Sequence, residues 1–440
     1  MEKVTNVVIC LSPFISHFIP TIEIANEFRK IGVNVIYLGP KCIKETVRSQ
    51  SFIFEEIVDY DENTLNSMQK GQEFGALLKI YQKIYFQVNK KIRKLNPDIV
   101  LVPLSRFPIY LLPLIDRNKK VILYSLCAGQ PKMNLKSPPV TSNCRLYRNR
   151  LDKVVNGWYW MKRFVQKGII PILKKKYCLF PFPQIYEWSK KKNIKLNFGI
   201  DGFYPDLPVA ILGSELLETH NNRKGNCFYA GLCVSEKRNG PRLEKEQIYF
   251  IKKKKGKLFY CCMGTMSERY INVKAFIYAL IEVFENNPQW NLFLCLGKYK
   301  SDIKVETYAT NVTIAEFVDQ QYILKYADFA ITHGGHGSIK ECIYYSVPMI
   351  VFPCCYDQRG NAVRVKEKEI GIISNMLQKT IIQRIIKKGC RRINGRKLEK
   401  LLNDINNPIY KKNIISLKEI ILKSDECKNM IKTIILKEER

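Results

Sequence analysis

The chain has 440 residues, of which 46% are hydrophobic and 25% charged. Such proportions belong to globular proteins and exclude a wholly disordered, collagen-like or disulfide-knot chain. At about 100–200 residues per domain the length predicts two or three domains, each able to bury a sizeable core. Lys and Arg number 72 against 40 Asp and Glu, a net charge of +32. A field of that size favours anionic partners: nucleic acid, acidic lipid surfaces or phosphorylated ligands. A general drift toward Lys, in a chain also rich in Ile and Asn, would leave the same surplus.

Taken in order, short apolar runs alternate with helical patterns. Asn6 to Cys10 reads as a buried strand, Pro20 to Ile31 as a helix with Ile24, Phe28 and Ile31 on one face, and Gly32 as its stop. Val33 to Leu38, Asp98 to Val102, Val121 to Tyr124, Val209 to Leu212 and Cys227 to Tyr229 continue the strand series. The basic stretch Ser235 to Lys255, with Gly240-Pro241 as a turn signal, reads as a linker and a solvated loop. A second series follows, with strands at Leu258 to Cys262, Leu292 to Leu296, Val312 to Ile314, Phe329 to Thr332 and Pro348 to Phe352. Helices are expected at Val273 to Glu285, Ile339 to Tyr345 and Asn361 to Glu369, and from Lys379 the pattern is helical and basic. The fold class is therefore α/β, two doubly wound halves with parallel sheets covered by helices.

The 15 cysteines do not read as a disulfide framework. Residues 1–10 hold only a short apolar run, without a small-residue cleavage site. Cys10, Cys261, Cys262 and Cys295 sit inside strand-like runs, where a thiol acts as a small hydrophobe in a reducing compartment. The pairs Cys261-Cys262 and Cys354-Cys355 lack Cys-x-x-Cys spacing, and no metal site is expected. No apolar run is long enough to predict a membrane span.

Chemistry is expected where parallel strands exit. Three of the four histidines, His17, His333 and His336, fall in such turns, whereas His220 reads as an ordinary surface residue. The richest segment is Thr332-His333-Gly334-Gly335-His336-Gly337-Ser338, followed by Glu341 and Asp357-Gln358. A Gly-rich turn opening a helix near Gly337 offers backbone N–H groups and a helix dipole to phosphate. His333 and Ser338 can donate to phosphate oxygens, and Glu341 can accept from sugar hydroxyls. Asp357 and Gln358, on the next exit loop, can grip a second sugar. The remaining possibility is that Ser338 merely caps the helix while the histidines face solvent.

The run from Phe317 to Asn361 resembles the nucleotide-sugar-binding signature of the UDP-glycosyltransferase superfamily. Phe317-Val318-Asp319-Gln320 stands where that family has an aromatic–small–Pro–Gln run, and Gln320 precedes His333 by 13 residues. Glu341 follows His333 by 8, and Asp357 and Gln358 follow by 24 and 25. Met263-Gly264-Thr265 is similar to the family's Gly-Ser/Thr turn against the phosphate. Tyr229-Ala230-Gly231-Leu232 resembles the end of the family's N-terminal half. Pro13 to Pro20, with His17 inside it, resembles the first loop, whose His is the general base. In many members an Asp after a Pro-Asp strand start orients that His. Here Pro97-Asp98 leads to Pro103 instead, with Ser105 nearby and Asp116 more distant.

The resemblance implies two facing Rossmann-like domains of GT-B type with an interdomain cleft. It would place an acceptor-binding domain at 1–235, a linker at 236–255, a donor-binding domain at 256–405 and a helical tail at 406–440 that packs back on the first. Phe317 would stack on the base, the Val318 backbone would pair with its edge, and Gln320 and Glu341 would hold the ribose. Gly264, Thr265, His333, Gly335, Gly337 and Ser338 would surround the diphosphate, and Asp357 and Gln358 the hexose, leaning toward glucose. His17 would deprotonate an acceptor hydroxyl.

The implied activity is inverting transfer of a hexose from a UDP-sugar, as donor substrate rather than cofactor, to a hydroxyl of a small hydrophobic or lipid acceptor. A catalytically weak or inactive nucleotide-sugar binder, or a basic nucleic-acid-binding protein, is the alternative, although no RNA-binding signature is present and no specific nucleic acid is expected. The expected location is cytoplasmic and soluble, with peripheral contact at an anionic membrane as a further expectation. The aromatic and basic stretch Tyr147 to Tyr186, with Trp158, Tyr159, Trp160 and Phe164, fits an acceptor pocket, a membrane surface or simply core.

Overall fold

A computed structural model describes residues 4–57, 74–104, 110, 119–135, 139–142, 150–169, 182–199, 202–218, 226–236, 238–264, 273–297, 309–377 and 393–436. Thr265, Ser105, Asp116, His220, Tyr147 and the first part of the basic stretch after Lys379 lie outside these residues. The chain forms two compact units. Unit 1 takes residues 1–139, 145–238 and 425–440, and unit 2 takes 140–144 and 239–424.

Strands in unit 1 are β1 (Asn6–Cys10), β2 (Asn34–Pro40), β3 (Ile53–Ile57), β4 (Ile99–Pro103), β5 (Lys120–Ser125), β6 (Leu196–Gly199), β7 (Gly202–Pro205), β8 (Val209–Ile211) and β9 (Cys227–Tyr229). Seven form one sheet in the order β3-β2-β1-β4-β5-β8-β9, parallel throughout, while β6 and β7 make a separate antiparallel hairpin. Val7 and Ile9 face one core, and Val8 and Cys10 the other. Both faces are buried, which is why β1 reads as a continuous apolar run rather than an alternating one. Helix Thr21–Lys30 seats Ile24, Ala25 and Phe28 in the first core and ends at Gly32, whose φ of 81° closes the turn.

Unit 2 repeats the plan with β10 (Lys257–Cys262), β11 (Trp290–Cys295), β12 (Val312–Ala315), β13 (Phe329–Thr332), β14 (Met349–Val351) and β15 (Gly371–Ile373). Their order is β12-β11-β10-β13-β14-β15, again all parallel. In both sheets the strand order reverses beside the first strand, and a crevice opens at the carboxyl ends there.

A carboxylate fixes each reversal. Asp98, just before β4, accepts from the backbone N–H of Thr5 at 2.7 Å and of Asn6 at 2.9 Å. Asp328, just before β13, accepts from the N–H of Leu258 at 2.9 Å and from Lys254 Nζ at 2.9 Å. Burial pushes both carboxyls up, but these donors outweigh it and hold them below their ordinary value.

Two stretches differ from the sequence expectation. Residues 236–255 hold a helix, Lys245–Lys253, rather than a solvated loop. Glu244 and Gln247 form a reciprocal capping box, and Ile251 is buried. The tail from 406 also divides. Helix Pro408–Lys423 belongs to unit 2, where Lys411 Nζ donates to the Ser346 carbonyl at 2.7 Å and Asn413 Nδ2 to that of Glu369 at 3.1 Å. Only the last helix, Glu426–Leu436, joins unit 1, burying Met430, Ile431 and Ile434 in its core. No helix among the described residues is long and apolar enough to cross a membrane.

Replacing Asp98 with Ala leaves two strand N–H groups without their acceptor and should cost about 1–3 kcal/mol in urea unfolding at neutral pH. A carboxyl whose folded pKa is depressed stabilises above its unfolded pKa and ceases to as pH falls through the folded one. The difference between Asp98→Ala and the parent should therefore shrink below about pH 4.

Candidate functional site

In unit 2 the site residues gather at the reversal between β10 and β13. β10 runs out through Met263 to Gly264, and β13 runs out into His333. Gly264 has φ of 83°, and a Cβ placed on it would lie 2.6 Å from His333 Nε2. A Cβ on Gly335 would lie equally close to the same atom. The partly exposed imidazole thus leans on two glycines, one from each strand exit. Burial pulls its pKa down to about 4 against an opposing hydrogen bond to the Cys262 backbone. The ring is neutral at physiological pH. It can shape a phosphate cradle, but its single N–H is directed at the Cys262 backbone and it brings no counter-charge.

Helix His336–Tyr344 starts immediately after, with Gly335 as N-cap and no side chain capping it. Its first turn carries Gly337, exposed and open on its Cβ side, and Ser338, half-buried. One turn further in, Glu341 is buried and accepts from Gln320 Nε2 at 2.6 Å. Tyr260 Oη, on β10, donates to Gln320 Oε1 at 3.3 Å. The expected ribose-binding pair is therefore assembled across 21 residues of chain.

Phe317, 48% exposed, lies beyond β12 with its ring edge 3.9 Å from where a Cβ on Gly297 would stand. Its neighbour Val318 leads into Asp319, which caps helix Gln320–Leu324 by accepting from Gln321 N–H at 3.1 Å. The Asp319 N–H also donates to the Pro241 carbonyl at 3.2 Å, and Gly240 fits tightly against its side chain. Asp at this position thus ties the 240–241 turn to the site.

On the loop after β14, Asp357 Oδ2 accepts from Asn361 Nδ2 at 2.8 Å. Asn361 Nδ2 also donates to the Gly334 carbonyl at 3.0 Å, joining this loop to the His333 turn. Gln358 is buried, and its Oε1 accepts from the N–H groups of Cys354 and Cys355, each at 2.9 Å. Its oxygen is engaged in shaping the loop. From the first half of the sequence, Val140 enters this unit and accepts from the Gly360 N–H at 2.8 Å. A Cβ on Gly360 would come within 2.3 Å of that carbonyl oxygen.

Asn361, Val140 and Tyr260 were not foreseen from sequence, and neither was the thiol pair of Cys262 and Cys295. These two are register partners on β10 and β11 and share a hydrogen bond. With the Gly264 N–H, that bond draws the Cys262 thiol down. None of the twelve described cysteines forms a disulfide.

In unit 1, His17 sits in the short helix Ile15–Phe18 beyond β1. Its Nδ1 lies 2.5 Å from Ser12 Oγ, and its ring packs at 5.0 Å from that of Phe14. Ser12 is fully buried, and nearby the Tyr110 hydroxyl donates to the Leu11 carbonyl. A buried hydroxyl thus fixes the ring from its Nδ1 side. Ser12 carries no sequence signal as a partner, because its role depends on how the turn folds.

Three comparisons bear on this arrangement. Residues 280–413 match the glycosyltransferase family 28 C-terminal domain. The uncharacterized UDP-glucosyltransferase YojK of Bacillus subtilis (strain 168) is 21% identical over 401 residues, 87% of this chain and 89% of that protein. The NDP-glycosyltransferase YjiC of the same organism is 32% identical over 133 residues, 30% of this chain and 33% of its own. The UDP-glucuronosyltransferase 3A1 of Xenopus laevis is 44% identical over 70 residues, 16% of this chain. The matched stretches thus span only 13% and 33% of the Xenopus protein and YjiC. Among solved structures, the glycotransferase of kitacinnamycin superposes with a TM-score of 0.69 at 16% identity, covering 98% of this chain and all of the other. The spinosyn rhamnosyltransferase SpnG complexed with thymidine diphosphate does so at 0.61 and 13% identity, covering 98% and 100%. The solved structures share the GT-B fold with this chain.

Gly264→Ala should lower stability by more than about 1 kcal/mol, because the new Cβ meets both a left-handed backbone and the His333 ring. Thermal unfolding of the variant checks this, and an unchanged midpoint would show that the ring is free to move aside.

Proposed function

This chain belongs to the UDP-glycosyltransferase superfamily, and on that premise we propose that it is an inverting hexosyltransferase using a UDP-sugar, with UDP-glucose as the best candidate. The observation that carries the reading is the cluster at the second unit's strand reversal. There the His333–Gly264–Gly335 cradle, an uncapped helix start and the Gln320–Glu341 pair are assembled together.

In this proposal Phe317 stacks on the uracil and the Val318 backbone meets its edge. Glu341, kept in place by Gln320, accepts from the ribose hydroxyls. The diphosphate lies on the backbone N–H groups of the helix start and beside Gly264, with Ser338 donating and the His333 ring shaping the cradle. Because His333 is neutral, the leaving charge is met by oriented dipoles rather than by an imidazolium. Asp357 accepts from the hexose, and Gln358 shapes the loop that presents it. His17 takes the proton of an acceptor hydroxyl as the oxygen attacks the anomeric carbon. An α-linked donor then gives a β-glycoside, and UDP leaves. The acceptor is a small hydrophobic or lipid molecule.

His17→Ala should lower UDP release in the presence of acceptor by about 10²–10⁴-fold while leaving UDP affinity in calorimetry unchanged. Glu341→Ala should instead weaken UDP binding by about tenfold, the worth of one hydrogen bond to a charged group. Binding of UDP-glucose without release by the parent protein would mark a nucleotide-sugar binder rather than an enzyme. Absence of UDP binding would remove the reading altogether.

Gly337→Ala tests the helix start alone. Its Cβ meets nothing within 4 Å, so the fold should gain about 0.5 kcal/mol while UDP affinity falls. Unaltered UDP affinity would place the diphosphate elsewhere.

A further inference from the structure

Helix Arg150–Phe164 inverts the usual division of a surface helix. Its inner face is anchored by polar groups. Asn156 Nδ2 donates to the Leu135 carbonyl at 3.1 Å, and Trp160 Nε1 to the Asn134 carbonyl at 3.0 Å. Both residues are buried, so Trp160 is core, as one of the sequence alternatives had it. At 3.6 residues per turn, Leu151, Val154, Val155, Trp158 and Met161 fall within about 120° on the other side. That side faces outward, with Leu151 74%, Val154 71% and Trp158 68% exposed, and Val155 and Met161 exposed as well. Single exposed apolar side chains are common, but a row of five along one stripe is a surface built to be covered.

Charge indicates what covers it. Arg150 is exposed at the border of the stripe and Lys162 is exposed within it, while Lys153 is exposed on the side nearer Trp160. The helix has one carboxylate, Asp152, and it is half-buried toward the inner side. A second copy of this face would oppose cations with cations. A bilayer carrying acidic headgroups would meet both features at once, accepting apolar side chains below the phosphates and cations at them. Trp158, near the middle of the row, is of the residue type that settles at such a boundary.

We propose that helix Arg150–Phe164 is an interfacial docking helix that seats unit 1 on an anionic lipid bilayer, with Leu151, Val154 and Trp158 entering the headgroup boundary and Arg150 and Lys162 on its phosphates. This goes beyond the donor chemistry and does not rest on it.

The test is flotation of the full chain with phosphatidylcholine vesicles containing phosphatidylserine, beside vesicles of phosphatidylcholine alone. The parent protein should float with the acidic vesicles, less so as salt rises. The triple variant Leu151→Ser, Val154→Ser, Trp158→Ser should lose binding by about tenfold or more at an unchanged unfolding midpoint, because its altered side chains face outward. The double variant Arg150→Glu, Lys162→Glu should weaken binding at low salt. Equal flotation of parent and triple variant would overturn the proposal, as would equal flotation with both vesicle types or none with either. In that last case, a dimer seen in gel filtration that the triple variant dissolves would assign the face to a second copy. Flotation reads no nucleotide binding, so this outcome and that of the donor-binding tests remain separate.

Discussion

Each unit depends on where its fourth strand lands beside its first. A parallel sheet grows outward in one direction, then the chain crosses over and continues in the other, and a crevice forms only at that joint. In this protein a carboxylate holds each joint, Asp98 for β1 and β4 and Asp328 for β10 and β13. Both carboxylates sit at the amino ends of the strands and accept from backbone N–H groups of the first strand or the residue before it, with side-chain donors, Thr5 for one and Lys254 for the other, beside them. They fix registers such as Val7 beside Ile99 and Phe259 beside Phe329. In the second unit the residues that leave the far ends of those strands are thereby set side by side, Gly264 against His333.

The second-unit cluster shows how little charge such a site needs. His333 is enclosed tightly enough to stay neutral, and Glu341 shares a hydrogen bond with Gln320. The positive end is supplied by backbone: the open first turn of helix His336–Tyr344 and the glycine turn beside it. Backbone dipoles cost no reorganisation when charge develops, which suits a leaving diphosphate. The surplus of +32 is therefore not needed at this cluster.

Much of the fold was legible because its strands are short, apolar and punctuated. Phe329–Thr332 and Val273–Glu285 match the sequence reading residue for residue, and Asn6–Cys10 does as well. Helix Lys245–Lys253 was hidden because its buried Ile251 stands in a run dominated by Lys. The β6–β7 hairpin was missed because its pairing rests on aromatic contact, with Phe198 and Phe203 rings 5.3 Å apart, rather than on a clear alternation. In the candidate site, residues grouped by the local motif were easy to name. Those that arrive from elsewhere in the chain, such as Tyr260 and Val140, need the strand order before they mean anything. Asn361 is of a third kind, a residue inside the motif whose work is to hold two loops together.

The division of the chain at Asp425 has a consequence for how the protein is made. The core of unit 1 includes Met430, Ile431 and Ile434, and Glu426 accepts from the Glu215 N–H at 2.8 Å. On the ribosome this unit is synthesised first, yet its closing helix emerges last, after the whole of unit 2. Until then the first sheet carries an open apolar flank beside Ala230 and Cys233. The unit that begins first is finished only after unit 2 has been made, and a nascent chain stalled anywhere inside unit 2 would display that flank to the chaperones that survey it.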